Sequence, residues 1–375
     1  MQLADSRPIV ISEIEQLGGA ERSVLALLRW LHQRALSAYV LTYRDHCGLA
    51  RFAPHPIEVV ELKATGARSR IAALRAHFRA RPQNAPRPLL SGYQPALHAT
   101  LAGMRGFHDL MHDTPTLFAD PASRTLRSNL RLAVSNRVVG AGLRSGGNTI
   151  VTSEYLREEC RRDFGVEAHV VRMGGMADPE IEFRPHRVTD ELRMLSVSRI
   201  EPNKRIDWIL RGLAALEASP TPLSSRIQWR LDLVGKGSML GELTAMAGAL
   251  GIGERVKFHG FVSDTELEEL YAGSHLFLIP AVQGYGIPAI ESLQRGIPVL
   301  LHRESGVSDI LRETPWATVM DGGEREMPGA LSQAIDGVLG GRYLIEALPE
   351  LPTEDAWAEE VALLCGWVDA GGQER

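Results

Sequence analysis

The chain has 375 residues, an ordinary globular composition and a formal net charge of −5, a length that suits about two domains. Its three cysteines, Cys47, Cys160 and Cys365, are far apart and odd in number; this excludes a disulfide framework or zinc-finger spacing and suits a reducing cytoplasm. No stretch reaches the ~18 apolar residues of a membrane span, and MQLADSRPIV lacks the basic-then-apolar pattern of a signal peptide.

The charge is unevenly spread. Residues 1–185 hold 24 Lys+Arg and 18 Asp+Glu, and the remainder holds 17 and 28. Between Lys63 and Arg144 the only acids are Asp109, Asp113 and Asp120. Such asymmetry points to two domains with different partners. Nucleic acid is not among them, because the chain is net acidic and has no aromatic-studded basic groove.

In chain order, PIVISEI (8–14) predicts a buried strand, Gly18-Gly19 a tight turn, and 20–34 a helix with Val24, Leu27, Leu28 and Leu31 on one face. Strands are expected at 38–43 and 57–62, then an arginine-rich helix at 67–81. Ile71, Leu74 and Phe78 mark one face of that helix, and Arg68, Arg75 and Arg79 another. Strand PLLSGYQ, a helix from about 95 to 104, strand FHDLMHD, a helix over 124–143, a strand at 148–152 and a helix capped by Ser153 continue the alternation. The strand 168–172 closes this half. Residues 174–193 carry Gly, Pro and charge without periodicity, and the domain boundary is placed there.

The second half is more regular. Strands are predicted at 194–198, 229–234, 256–259, 276–280, 297–301 and 317–320, with helices at 207–217, 238–250, 265–273, 288–295, 306–313 and about 327–339. Repeated β-α alternation implies a parallel sheet covered by helices on both faces. The expected division is 1–180, 181–350, and a C-terminal helix within 351–375 packing back toward the first domain.

Chemistry is expected where strands hand over to helices, because open parallel sheets bind ligands at the carboxyl ends of their strands. FLIPAVQGYGIPAIESLQRGIPV (277–299) reads as strand, glycine loop, helix, strand. Pro288 sits near the helix start and Gly296 just past its end, and amides ahead of that helix suit a phosphate. Glu291 lies early in the helix; it either reaches sugar hydroxyls or merely favours the helix N-terminus. SVSRIEPNKRI (196–206) delivers Arg199 and Lys204, two cations able to grip a diphosphate, or two solvated surface residues. In LVGKGSML, Gly235 and Gly237 admit a ligand or a neighbouring backbone. His112 ends the FHDLMHD strand, and His108 lies an even number of positions away; both the cleft and the ordinary structural role are open to either. No metal-binding, P-loop or Ser-His-Asp signature is visible.

These segments together resemble the retaining glycosyltransferases of family four, which have the GT-B architecture. QGYGIPAIESLQRGIPVL is similar to that family's paired-glutamate motif, SVSRIEPNKRID to its phosphate-gripping loop, LDLVGKGSM to its glycine turn, and VKFHGFVSDTELEELYAGSHLFLIPA to the strand-helix-strand before the donor site. LGGAERSVLALLRWL resembles the family's N-terminal glycine loop and helix. The resemblance implies an α/β fold of two Rossmann-like, doubly wound parallel-sheet domains facing a cleft. It implies that Arg199 and Lys204 bind the diphosphate of a nucleotide diphosphate sugar, that Gly284, Tyr285, Gly286 and Ile287 hold phosphate and sugar, and that Glu291 holds the ribose. Phe261 and Val262 would lie near the base, Gly18 and Gly19 near phosphate or acceptor, and His112 near the reacting sugar.

The implied activity is transfer of a sugar, with retention and without a metal or other cofactor, from a UDP- or GDP-type donor to a saccharide or glycolipid acceptor. Bacterial polysaccharide or glycolipid synthesis is the family's usual setting, in the cytoplasm or at the inner face of the membrane. The helix 67–81 is expected either to touch anionic lipid or an anionic acceptor, or to be a solvated face. One position departs from the family: the first glutamate of the pair is Gln283, a catalytic position in the relatives. A non-catalytic sugar-nucleotide-binding subunit, or another GT-B enzyme such as an epimerase or phosphorylase, is therefore the competing reading.

Overall fold

A computed structural model describes residues 5–115, 125–175 and 183–369. Part of the expected connector, 176–182, lies outside these residues, as do Asp120 and Arg124. The chain divides into two compact units, Met1–Gly174 together with Pro352–Arg375, and Gly175–Leu351.

In the first unit the strands are β1 (Arg7–Val10), β2 (Glu13–Ile14), β3 (Ala38–Thr42), β4 (Arg44–Asp45), β5 (Glu58–Glu61), β6 (Leu89–Ser91), β7 (His108–Met111), β8 (Thr149–Val151) and β9 (His169–Val170). Its helices are α1 (Gly19–Gln33), α2 (Ala67–Arg79), α3 (Tyr93–Leu101), α4 (Leu126–Leu143) and α5 (Glu154–Phe164). Seven strands form one sheet in the order β5-β3-β1-β6-β7-β8-β9, and every pairing in it is parallel. The expected strand 8–14 is broken: β1 stops at Val10, and Glu13–Ile14 pairs separately with β4. Strands buried on both faces read as unbroken apolar runs, and all four residues of β1 and of β7 are buried.

The second unit contains β10 (Glu191–Val197), β11 (Gln228–Val234), β12 (Val256–Gly260), β13 (Leu276–Ile279), β14 (Val299–His302) and β15 (Ala317–Met320). Between them run α6 (Ile206–Glu217), α7 (Leu223–Arg226), α8 (Leu240–Ala249), α9 (Asp264–Ala272), α10 (Ile287–Gln294) and α11 (Ser308–Leu311), and α12 (Met327–Leu339) follows β15. The sheet order is β12-β11-β10-β13-β14-β15, again all parallel. Both sheets are doubly wound. Their order reverses between β1 and β6 in the first and between β10 and β13 in the second, and these are the points where such sheets open a ligand crevice.

The last helix, α13 (Glu354–Leu364), belongs to the first unit and packs on α1. Trp357, Ala358 and Val361 are buried there. Arg29 of α1 reaches Glu354 at 3.1 Å and Asp355 at 2.8 Å. Asn148 Nδ2 donates to the Leu364 carbonyl at 2.7 Å and Trp367 Nε1 to the Arg87 carbonyl at 3.3 Å, so the tail is tied to the amino ends of the sheet strands.

Candidate active site

In the second unit the loops leaving β10 and β13 flank the reversal of strand order. They are sewn together. Val282 N–H donates to the Asn203 carbonyl at 2.8 Å, and Asn203 Nδ2 returns a bond to the Val282 carbonyl at 3.0 Å. Lys204 Nζ donates to Gln283 Oε1 at 2.7 Å. Pro202–Lys204 forms one tight 3₁₀ turn, and Arg205 follows in the left-handed region at φ 53°, a conformation unfavourable for a residue with a Cβ. Two contacts hold it there: the guanidinium stacks 4.3 Å from the Trp208 ring centre and pairs with Glu304 at 2.5 Å.

A third loop, after β14, joins the same cluster. Gln283 N–H donates to the Glu304 carbonyl at 3.1 Å, Gly306 N–H to the Gln283 carbonyl at 3.1 Å, and Val307 N–H to the Tyr285 carbonyl at 3.0 Å. Gln283 is only 8% exposed, and its Nε2 donates to Ser305 Oγ at 2.9 Å. Gly286 caps α10 at φ 127°. A Cβ there would lie 2.6 Å from Gln283 Nε2 and 2.9 Å from Ser305 Oγ, so glycine is required by both conformation and space. Pro288 falls in the first turn of α10, as its spacing predicts, with Ile287 before it.

The other expected donor residues stand at neighbouring turns. Arg199 is exposed on the loop after β10. Gly235 and Gly237 do their work against protein: a Cβ on either would strike the backbone of Ser198 or Ile200, and Ile200 N–H bonds to the Lys236 carbonyl at 2.9 Å. Glu201 ties the same turn by accepting from Ser238 N–H at 3.0 Å and Ser238 Oγ at 2.6 Å, which holds its carboxyl below the usual range. Phe261, just beyond β12, is 80% exposed, and Lys236 Nζ lies 5.8 Å from its ring centre; Val262 beside it is half-buried. Glu291 sits one turn into α10 and accepts from Tyr271 OH at 3.4 Å. Arg295 covers the Tyr271 ring at 4.6 Å and donates to the Glu291 carbonyl at 2.7 Å.

In the first unit a pocket of about 770 Å³ opens at the carboxyl ends of β1 and β6. Among the residues facing it are Ser12, Glu21, Arg70, Gln94 and His112. His112 follows β7, and its Nε2 is 3.0 Å from Ser91 Oγ at the end of β6. Desolvation pulls its imidazole down to about 4, so it is a neutral ring near pH 7. His108 does not join it. The two lie at opposite ends of β7, about 13 Å apart along a strand. His108 Nδ1 accepts the Asn148 N–H at 3.2 Å, and burial brings its ring to about 4. Gly18 precedes α1, and Gly19 is its first residue. Glu21 accepts the Gly18 N–H at 2.9 Å, which caps that helix from within the chain.

Sequence reasoning passed over Asn203, Ser305, Glu304 and Ser91, which bond to Val282, Gln283, Arg205 and His112. No motif spacing marks them, because their partners are distant in the chain. Among the described residues no cluster of three or more His, Cys, Asp or Glu side chains is arranged to hold a metal ion.

Residues 178–339 match the family of glycosyl transferases group 1. The chain is 27% identical over 208 residues to the GDP-mannose-dependent alpha-(1-6)-phosphatidylinositol monomannoside mannosyltransferase of Mycolicibacterium smegmatis, covering 49% of this chain and 53% of that one. It is 28% identical over 246 residues to the D-inositol 3-phosphate glycosyltransferase of Rhodococcus opacus, covering 62% and 52%. The matched region spans about half the length of these curated relatives. Among solved structures, WaaG, a glycosyltransferase involved in lipopolysaccharide biosynthesis, superposes with a TM-score of 0.67 at 18% identity, covering 96% of this chain and 94% of that one. Anabaena Alr3699/HepE in complex with UDP and glucose does so with a TM-score of 0.68 at 16% identity, covering 95% and 98%. The resemblance carried by the motifs is borne out: residues 178–339 match the group 1 glycosyl transferase family, and the chain has the α/β architecture of the GT-B proteins.

Proposed function

We propose that this chain is a glycosyltransferase that moves a sugar from a UDP- or GDP-type nucleotide diphosphate sugar to an acceptor hydroxyl, with retention of configuration. The observation that carries the reading is the junction of Lys204, Gln283 and the loop ahead of α10 at the strand-order reversal of the second sheet. A lysine, an exposed arginine on the same loop and a helix N-terminus together offer the positive charge a diphosphate needs. Glu291 would hold the ribose, and the exposed Phe261 ring offers a face to the base. The relatives whose names include GDP-mannose or UDP fit donors of this class.

In this reading the acceptor oxygen attacks the anomeric carbon from the face the diphosphate leaves. The carbon–oxygen bond to phosphate breaks, and the acceptor's proton passes to the departing phosphate oxygen. Arg199, Lys204 and the α10 N-terminus stabilise the charge that develops, without a metal. The acceptor is assigned to the pocket of the first unit, where neutral His112, held by Ser91, offers a hydrogen-bonding group. A thermal-shift panel of nucleoside diphosphates and their sugars tests the assignment, since a ligand of the folded state raises its melting point. Stabilisation by one base's diphosphate, followed by sugar transfer from the matching donor, is the expected result; no shift with any of them contradicts it.

A saccharide or glycolipid acceptor, and action at the inner face of a membrane, complete the proposal. No helix among the described residues is long and apolar enough to cross a membrane. Of the arginines in residues 67–81, Arg70 pairs with Glu13 and Arg75 donates to the Leu101 and Ala102 carbonyls, while Arg68 and Arg79 are exposed. The start of α4 suits an anionic bilayer better. Leu126, Leu130 and Val134 are 88%, 67% and 56% exposed, and their spacing of four puts them on one stripe. Arg127, Arg131 and Arg137 accompany them, and α4 has no acidic residue. Apolar groups flanked by arginines suit the boundary between acyl chains and anionic headgroups.

A further inference from the structure

Gln283 looks like a lost carboxylate only if its surroundings are ignored. Its two side-chain ends meet different partners. Oε1 accepts from Lys204 Nζ at 2.7 Å, and Nε2 donates to Ser305 Oγ at 2.9 Å. Ser305 in turn donates its own proton to the Tyr285 carbonyl at 2.9 Å. A hydroxyl has one proton to give. Since that proton lies on the Tyr285 carbonyl, Ser305 can only accept from residue 283, and an amide supplies the donor. A carboxylate in the same place supplies no proton and meets Ser305 only if the hydroxyl turns its own proton away from the Tyr285 carbonyl.

The site is closed around this arrangement. Gln283 is buried, and Gly286 lies so close that no Cβ fits between it and the amide. Backbone bonds from Gln283, Gly306 and Val307 lace the two loops on either side. Burial in a low-dielectric position makes the charge of residue 283 count more than it would at the surface.

We propose that Gln283 is a positioning and specificity-determining residue that orients Lys204 toward the donor's diphosphate through a neutral acceptor, so that residue 283 offsets none of the lysine's charge. A glutamate would orient the same ammonium while cancelling its charge, and would compete with the Tyr285 carbonyl for the single Ser305 proton. On this account the amide is the working form of the site and a glutamate weakens it. The inference rests on the diphosphate-binding role given to Lys204 above.

Equilibrium binding of UDP and GDP by calorimetry, at low and physiological salt, tests it with the wild type, Gln283→Glu, Ser305→Ala and the double variant. Thermal melts report whether each variant is folded. The expected result is binding of one diphosphate by the wild type, with Ser305→Ala weaker than the wild type and stronger than Gln283→Glu. Gln283→Glu binds at least about tenfold more weakly, as expected for neutralising one phosphate-binding charge. The double variant stays weak, because removing the Ser305 hydroxyl ends the competition for its proton and leaves the added charge. Recovery of wild-type affinity in the double variant, or undiminished binding by Gln283→Glu, overturns the inference while leaving the donor site standing. A folded wild type that binds neither diphosphate overturns the donor-site reading itself and this inference with it.

Discussion

Lys204 and Gln283 stand 79 residues apart in the chain, yet the lysine ammonium donates to the glutamine carbonyl at 2.7 Å. The bond spans the place where the second sheet reverses its strand order, and Asn203 and Val282 flank it with two more. A cation held this way has surrendered much of its side-chain freedom before any ligand arrives, and such preorganisation reduces the entropic cost of binding.

Replacing Arg199 and Lys204 together with alanine is expected to lower kcat/KM for donor turnover by ~10²-fold or more, from the loss of two charge-assisted contacts. Steady-state kinetics on the double variant checks this. Near wild-type turnover would remove both residues from the diphosphate site.

Gly286→Ala tests the space above Gln283. The substitution forces a Cβ into contact with the Gln283 amide and into a backbone region that L-residues avoid. A loss of ~1–3 kcal/mol in denaturant-derived stability is expected, together with weaker diphosphate binding. Gly323→Ala, where no atom of the described residues lies within 4 Å and φ is −82°, serves as the control and should be nearly silent.

Stability should fall as the pH drops below about 6.5. His108, His112 and His275 are each brought down to about 4 by burial. Between these values the unfolded chain binds protons that the folded chain does not, so unfolding gains up to ~1.4 kcal/mol per group for each pH unit of acidification. Asp109 acts in the opposite sense. Its carboxyl is fully buried, neither oxygen has a hydrogen-bond partner among the described residues, and desolvation holds its pKa well above the ordinary value. The folded state therefore keeps a proton there that the unfolded state releases. Urea midpoints across pH 4–7 should rise with pH, and more steeply in Asp109→Asn; a flat profile in the wild type would contradict the assignment.

The membrane proposal predicts that Leu126→Gln with Leu130→Gln reduces partitioning onto anionic vesicles by about tenfold or more, from the lost apolar burial. Co-sedimentation measures it. Replacing Arg68 and Arg79 of α2 should have a smaller effect, and added salt should weaken wild-type binding. Equal partitioning of the wild type and the α4 variant would exclude this face.

Much of the fold was legible because buried parallel strands read as unbroken apolar runs and the helices between them repeat every three to four residues. Runs such as Phe277–Pro280 and Val299–Leu301 need no tertiary information. The break of the first strand after Val10 was not legible, since the change of pairing partner at Glu13 leaves the local pattern unaltered. Turn positions bearing Lys204, Gly286 and His112 were visible because glycine, cations and histidine stand out at strand ends. Their supports were not: Ser91, Asn203 and Ser305 act through single bonds to distant residues, and serine or asparagine in a loop is unremarkable. For the same reason the sequence alone makes Gln283 look like a defect, whereas Lys204 and Ser305 on either side of it fit an amide.

Calorimetric titration of the wild type and of the Arg199→Ala, Lys204→Ala double variant with UDP and GDP tests the central claim most directly. The account predicts that the wild type binds one of them with a Kd tighter than about 1 mM and that the folded double variant loses that binding. Absence of binding by the wild type, or unchanged affinity in the double variant, would contradict it.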